Sequence, residues 1–497
     1  MIKLVATMAL SASLLAGCTL IPDYNRPALP VSAQWPMGAE ATQVQTDPVA
    51  AIAWQEFFRS SQLQQVIGIA LEHNRDLRLA ALNVEAVRGA YNLQRASLLP
   101  DITGVISGNK QRISQNAAFN QTGSNGDNSS FISEVYSAEI AASYGLDFFG
   151  RLRSLSVSAQ QDFLATQEAQ KAVQVSLIAE TANAYLQLLA DKEILALTQK
   201  TLDAQLRSSE LVAKRFDYGI AGKLEVAQSE IPLATARVNP ALYTRLGQQD
   251  MHALAVLMGK ENTALLSEDN TLAEVSLMEN LPVGLPSEVL LLRPDIRQAE
   301  HVLQSENADI GAARAAFFPS ITLTASIGES SGELTDLFTS AAAPIWSFAP
   351  RISLPIFQGG RNWANLMINE TERDIAIAQY EKAIQVAFKE VADELATRAT
   401  LNQQLAAQAS LVKASNDAYI ISQARYDKGI DNFLLVLDAQ RSQYQAQQSL
   451  IETRKQRLVN TVNLYKVLGG GQVMQEEAIE VLPEEGDEQA LQANEEA

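Results

Sequence analysis

The chain has 497 residues, a formal net charge of −19, 47% hydrophobic but only 6% aromatic residues, 25 glycines and 16 prolines. That length holds two or three ordinary domains or one elongated assembly. A composition rich in Ala, Gln, Leu, Ser and Glu and poor in Gly and Pro favours long helices. The acidic balance excludes a nucleic-acid partner, whose phosphates demand basic patches.

Lys3 is followed by an apolar run, Leu4 to Ala16, too short to span a bilayer as a mature helix. It ends in Leu15-Ala16-Gly17-Cys18, small residues before a cysteine, which is a lipobox. Residues 1–17 are therefore expected to be a lipoprotein signal peptide and 18–61 a lipidated N-terminal segment. The Cys18 thiol would carry diacylglycerol through a thioether, and the new amino terminus an N-acyl chain such as palmitate. One chain anchors only marginally, so several are needed. Thr19, rather than Asp, follows the cysteine, the pattern of lipoproteins sent on to the outer membrane. Cys18 is the only cysteine, which removes disulfides and thiol chemistry. No other cofactor and no metal is expected.

The remainder is a tandem duplication. Arg75-Asp-Leu-Arg78 returns as Pro294-Asp-Ile-Arg297, and the same offset of 219 carries Arg95-Ala96 onto Arg314-Ala315 and Pro100 onto Pro319. Gly150-Arg151 then matches Gly360-Arg361, Lys171 to Val175 matches Lys382 to Val386, and Arg215-Phe-Asp-Tyr-Gly-Ile220 matches Arg425-Tyr-Asp-Lys-Gly-Ile430. Repeat 1 is placed at 62–280 and repeat 2 at 281–472. Each opens with a helix, Gln62 to Leu98 and Ser287 to Phe318, stopping just before a proline. A β-hairpin follows in each, about 101–147 and about 320–357. Arg151 to Tyr218 and Arg361 to Lys428 are each 68 residues without Gly or Pro, so each predicts one helix about 100 Å long at ~1.5 Å per residue. Leucines at 188, 195 and 202, and Leu405, Val412, Tyr419 and Tyr426, have the seven-residue spacing of coiled coils. Gly219 and Gly429 punctuate these helices as left-handed caps. Return helices follow at 223–259 and 431–468. Pro232 and Pro240 should interrupt the first of them, Pro240 by a kink or a break. From Gln475 to Ala497 the chain has nine acidic residues and no Lys or Arg, an expected solvated tail within 473–497.

The strand runs alternate. Tyr136, Ala138, Ile140, Ala142, Tyr144 and Leu146 interleave with Ser137, Glu139, Ala141, Ser143 and Gly145, and Trp346 and Phe348 sit on a similar run ending at Ile356. Aromatics near the ends of such strands fit a lipid-facing side opposite a lumen-facing side. A soluble sheet with one wet face has the same period; the lipobox favours the membrane. Four strands cannot close a barrel in one chain, and an open sheet in lipid leaves edge groups unpaired at several kcal/mol each. Two chains give a filled eight-stranded barrel, three a twelve-stranded one with a lumen, and the trimer is the expectation.

Leu15 to Tyr24, Arg293-Pro-Asp-Ile296, Gly311-Ala-Ala-Arg-Ala-Ala-Phe-Phe-Pro-Ser320, Leu437-Asp-Ala-Gln-Arg441 and Asn463-Leu-Tyr465 together resemble the outer-membrane factor family of TolC/OprM type, in its lipidated drug-efflux branch. The resemblance covers all but the acidic tail. It implies a mainly α chain with membrane β: a trimeric channel-tunnel whose twelve-stranded β-barrel continues into a long α-helical coiled-coil barrel in the periplasm. It also implies partners, a periplasmic adaptor (membrane fusion protein) and an inner-membrane resistance-nodulation-division transporter, besides outer-membrane lipid. By the same resemblance Gly219, Ile220, Gly429 and Ile430 dock the adaptor at the periplasmic tip. Leu434 and Asp438, four apart on one helical face, form the channel constriction, with Arg441 tying Asp438 by a salt bridge. Tyr136, Tyr144, Trp346 and Phe348 are the lipid-facing aromatics. A catalytic role finds no support: His73, His252 and His301 have no metal-ligand spacing, and Gly469-Gly-Gly471 reads as a helix cap, not a phosphate loop. A periplasmic scaffold would have no use for the alternating strands. The outer-membrane channel of a type I protein secretion system stays open as the alternative.

Overall fold

The computed structural model describes residues 19–36, 48–114, 130–261, 270–278, 280–283 and 286–472. The signal peptide, Cys18, the centre of the first polar loop and the acidic tail from Val473 lie outside the described residues. The main elements are α1 (Ser61–His73), α2 (Arg75–Ala96), β1 (Asp101–Ser114), β2 (Ser130–Leu146), α3 (Arg151–Asp217), α4 (Lys223–Met258), α5 (Pro294–Ala315), β3 (Ser320–Ser331), β4 (Ala343–Ser353), α6 (Arg361–Asp427) and α7 (Phe433–Val467). The described residues are mainly α with one small sheet, in two matching series of elements.

Three expectations need correction. The helix expected from Gln62 to Leu98 is two helices, because Asn74 leaves helical geometry at φ −60, ψ 136. Its Oδ1 accepts from the Leu77 N–H at 2.9 Å, capping α2, while its Nδ2 donates to the Leu257 carbonyl at 2.8 Å. The helix expected from Ser287 instead starts at Pro294, since Arg293 before the proline is extended at φ −68, ψ 137; only short turns at Pro286–Val289 and Leu290–Leu292 precede it. Finally α4 runs unbroken through Pro232 and Pro240. Each proline withholds one N–H and costs about 3 kcal/mol in a helix interior, but Ser229, Leu233 and Ala236 are buried along that stretch, and this packing holds it helical.

The residues form two compact units. The first comprises Met1–Pro30, Ala81–Ala169 and Asp295–Ile384. It contains the sheet, in the order β1-β2-β3-β4 with every neighbour antiparallel. Beside the sheet, Phe149 stacks on Phe318 at 4.7 Å, and Phe317 meets Trp363 edge-on at 5.3 Å. α3 and α5 are joined by Ser158 and Ser305 hydroxyls at 3.0 Å and by His301 Nδ1 with Gln161 Oε1 at 2.7 Å. The segment after Thr19 is strapped to α5: Asn307 Nδ2 donates to the Pro22 carbonyl at 2.8 Å, and Arg26 forks onto buried Glu300 at 2.8 and 3.0 Å. Gly311 is glycine because a Cβ there would lie 2.6 Å from Ile21 Cγ1 and 2.7 Å from Ser154 Oγ.

The second unit comprises Val31–Ala80, Gln170–Pro294 and Gln385–Ala497. Its core centres on Phe57, Leu63, Ile67, Tyr185, Leu186, Leu189, Leu254 and Tyr465, all fully buried or nearly so. Tyr465 stacks on Phe57 at 4.0 Å and its hydroxyl donates to the Ile52 carbonyl at 2.7 Å. Arg293 donates to the Val467 carbonyl at 3.0 Å and to Glu390 at 2.8 Å. The heptad residues Leu188, Leu195, Leu202, Leu405, Val412, Tyr419 and Tyr426 are all buried or half-buried, so the spacing marks the packed side of the long helices.

Candidate functional site

Cross-strand partners share a face, so the register assigns both sides of the sheet. Tyr136 lies opposite Gly108 and Ser331; Ile140 opposite Gly104 and Ile327; Tyr144 opposite Leu323; Ile327 opposite Trp346; and Ala325 opposite Phe348. Tyr136, Tyr144, Trp346 and Phe348 therefore stand on one face, together with Ile102, Ile106, Ile140, Leu323 and Ile352. Ile102, Ile106, Ile140, Ile327, Trp346, Phe348 and Ile352 are each between 59% and 77% exposed. The opposite face carries Thr103, Ser107, Ser137, Glu139, Ser143, Thr322, Thr324, Ser326, Ser347 and Arg351. Ser107 bonds Ser137 at 2.9 Å and Ser326 bonds Ser347 at 2.8 Å across that face. A sheet with exposed isoleucines and aromatics on one side and hydroxyls on the other separates an apolar from an aqueous medium.

Among the described residues the sheet has two free edges, the outer sides of β1 and β4. α2 enters β1, and α6 leaves β4. In the first unit, Leu82, Ala86, Gly89 and Leu93 of α2 are exposed at heptad spacing, as are Ala364, Ile368, Thr371 and Ile375 of α6. Both edges thus end in unpaired strand groups continued by an uncovered helical seam.

In the second unit, α3 passes to α4 and α6 to α7 through two equivalent turns. Gly219 and Gly429 have φ of 73 and 69, the left-handed conformation that favours glycine. The Ile220 N–H donates to the Arg215 carbonyl at 2.8 Å and the Ile430 N–H to Arg425 at 3.0 Å; Gly219 and Gly429 donate to Phe216 and Tyr426. Each turn is thereby a Schellman cap. Nothing lies within 4 Å of where a Cβ would sit at either glycine, so the caps serve the turn and leave open surface. Ile220 and Ile430 beside them are 67% and 59% exposed. Asn432 opens α7 by accepting from the Leu435 N–H at 3.3 Å.

The two turns are tied to each other. Val212, Tyr426, Phe433 and Val436 form a buried cluster. The Tyr426 hydroxyl donates to Glu225 Oε1, and the Arg215 guanidinium lies 4.4 Å over the Tyr426 ring. Burial, and then the Glu225 carboxylate, raise the Tyr426 phenol above its ordinary value, so it stays a donor. Arg425 forks onto Asp431 at 2.5 and 3.1 Å, which lowers the Asp431 carboxyl below its ordinary value. In the aligned first repeat the place of Asp431 is taken by Ala221, and Arg215 turns to Tyr426 instead. The motif was visible in sequence, but the Glu225–Tyr426–Arg215 constellation was not: 201 residues separate Glu225 from Tyr426.

Leu434, Asp438 and Arg441 share one face of α7, with Arg441 Nη2 2.6 Å from Asp438 Oδ1. All three line a groove of about 570 Å³ with Gln228, Ile231 and Pro232 of α4 and Tyr444 of α7. Leu434 is 55% exposed and the Asp438 and Arg441 side chains 62% and 79%. His73, His252 and His301 are not gathered, and among the described residues no group of three His, Cys, Asp or Glu could hold a metal.

The family model for outer membrane efflux proteins matches residues 66–260 and 285–470, one match in each repeat. The antibiotic efflux pump outer membrane protein ArpC of Pseudomonas putida is 45% identical over 474 residues, covering 95% of this chain and 96% of its own. A crystal structure of a membrane protein from Pseudomonas aeruginosa superposes with a TM-score of 0.83 at 38% identity, covering 91% of this chain and 100% of that one. The open state of the MtrE outer membrane channel of Neisseria gonorrhoeae gives 0.81 at 37% identity, with 92% and 99% coverage.

Proposed function

This chain belongs to the family of outer membrane efflux proteins, and from that premise we propose that three copies close one exit duct of a tripartite drug efflux pump. It is an outer-membrane protein. The observation that carries the duct is the four-stranded sheet, with its exposed apolar face, its hydroxyl-lined face and its two unpaired edges. In hydrocarbon every edge N–H and C=O needs a partner, so β1 of one copy pairs with β4 of the next. The seams on α2 and α6 meet at the same junction, where Ala86 and Gly89 permit close approach. Three copies give twelve strands and an open lumen, where two would give a filled barrel.

The duct is passive: its residues conduct and gate but perform no catalysis. Leu434 and Asp438 form rings at the closed tip, an apolar narrowing and a carboxylate ring that favours cations. The Glu225–Tyr426–Arg215 tie and the Asp438–Arg441 pair hold the closed form. A periplasmic adaptor docks on the open turns at Gly219, Ile220, Gly429 and Ile430 and releases them, coupling the duct to an inner-membrane resistance-nodulation-division transporter. Acyl chains on Cys18 add an anchor beside the barrel. The relatives' efflux-pump names support this reading over type I protein secretion. Deleting the gene in a strain without a substitute should raise drug susceptibility, with restoration by the wild-type gene; unchanged susceptibility and a secretion defect would favour the alternative.

A further inference from the structure

The proposed duct assigns no role to the acidic tail, and the second unit offers a place for it. A cavity of about 840 Å³ there is lined by Arg59, Arg454 and Arg457, with Met278, Leu405 and Leu458 among its apolar walls. This basic lining stands in a chain with a net charge of −19. None of the described lining residues is acidic. Arg457 already has interactions of its own within the fold, and the exposed Arg59 and Arg454 supply the charge presented to a ligand. Guanidinium forks over aliphatic walls suit carboxylates carried on a polypeptide.

We propose that this arginine-lined cavity is the docking site of the chain's own acidic segment, Gln475 to Ala497. The charges are complementary: nine acidic residues and no Lys or Arg in the segment match the exposed guanidinium groups of Arg59 and Arg454. The reach is sufficient. Arg457 lies ten residues before the end of α7, about 15 Å at 1.5 Å per residue. The chain leaves α7 through Gln472, whose Nε2 donates to the Leu292 carbonyl at 3.0 Å and to Gly469 at 2.6 Å. Glu480 is eight residues further on, and eight extended residues span about 28 Å, more than the length of α7 back to Arg457. Docking would cover the cavity and fasten the end of the chain to α7.

The test uses the full chain in mild detergent with a zero-length carbodiimide, which joins an amine to a carboxylate in contact with it. The tail contains no lysine, so it cannot cross-link to itself through side chains. Arg454→Lys should yield cross-linked peptides joining the introduced amine to tail glutamates, several-fold more than Arg237→Lys, an exposed arginine on α4. High salt should abolish them, because the attraction is between partly exposed charges. Arg59→Lys provides a second vantage if Arg454→Lys does not fold. Absence of tail cross-links in both variants, or equal yields from Arg237→Lys, would overturn the proposal.

Discussion

Tyr426→Phe removes one oxygen and nothing else from the tie between the two helix turns. The ring stays between Phe433, 5.2 Å away, and Arg215, 4.4 Å away, while Glu225 loses its donor. A hydrogen bond to a charged acceptor contributes about 1.5–3 kcal/mol, and the half-exposed Glu225 regains water, which favours the lower figure. A change of ~1.4 kcal/mol is tenfold in an equilibrium, so the closed-to-open ratio should fall about tenfold. Arg215→Met, which removes only the cation over the ring, should cost about 0.5–1 kcal/mol and shift it two- to fivefold. Planar-bilayer recording of the purified channel gives the open probability directly. Tyr24→Phe in the first unit, where the hydroxyl also meets a carboxylate at 3.1 Å, is the control and should leave gating unchanged. An unaltered open probability in Tyr426→Phe, or an equal rise in the Tyr24 control, would refute the assignment of the tie to gating.

Asp438→Ala should raise single-channel conductance and reduce cation preference in the same recordings. Asp250 on α4 is raised to about 7 by burial and then by Asp191, with Lys455 acting the other way. A folded value above the ordinary one means its contribution to stability is full in acid and is lost as the pH rises through about 7. Denaturation at pH 5 and pH 8 should therefore show a pH-dependent decline that Asp250→Asn flattens. On the apolar face of the sheet, Ile140→Lys should cost about 2–4 kcal/mol in lipid refolding, as a cation near the bilayer midplane does; Thr324→Lys on the hydroxyl face should cost little. Ile220→Asp with Ile430→Asp should abolish co-purification of the adaptor while leaving the assembly intact.

Much of this architecture is local in origin and so was legible in the sequence. The ends of the long helices are written in Gly219 and Gly429, whose left-handed backbone is a one-residue decision, and in the prolines that follow α2 and α5. The two faces of the sheet follow from a period of two, and the register places all four expected aromatics together. What could not be read depends on residues distant in sequence. The break at Asn74 relies on a bond to Leu257, 183 residues on. The continuity of α4 through Pro232 and Pro240 reflects packing that outweighs local propensity. Arg215 looks equivalent to Arg425 in the aligned repeats, yet only Arg425 has an acid six residues ahead, and that asymmetry alone hinted that Arg215 would find another partner.

The closure of one barrel by three chains is tested most directly by the mass of the purified assembly, measured by native mass spectrometry in mild detergent. Four strands with two free edges predict three times the mass of the lipidated chain, unchanged on dilution and preserved by cross-linking. A monomer, or a closed dimer of eight strands, would contradict it.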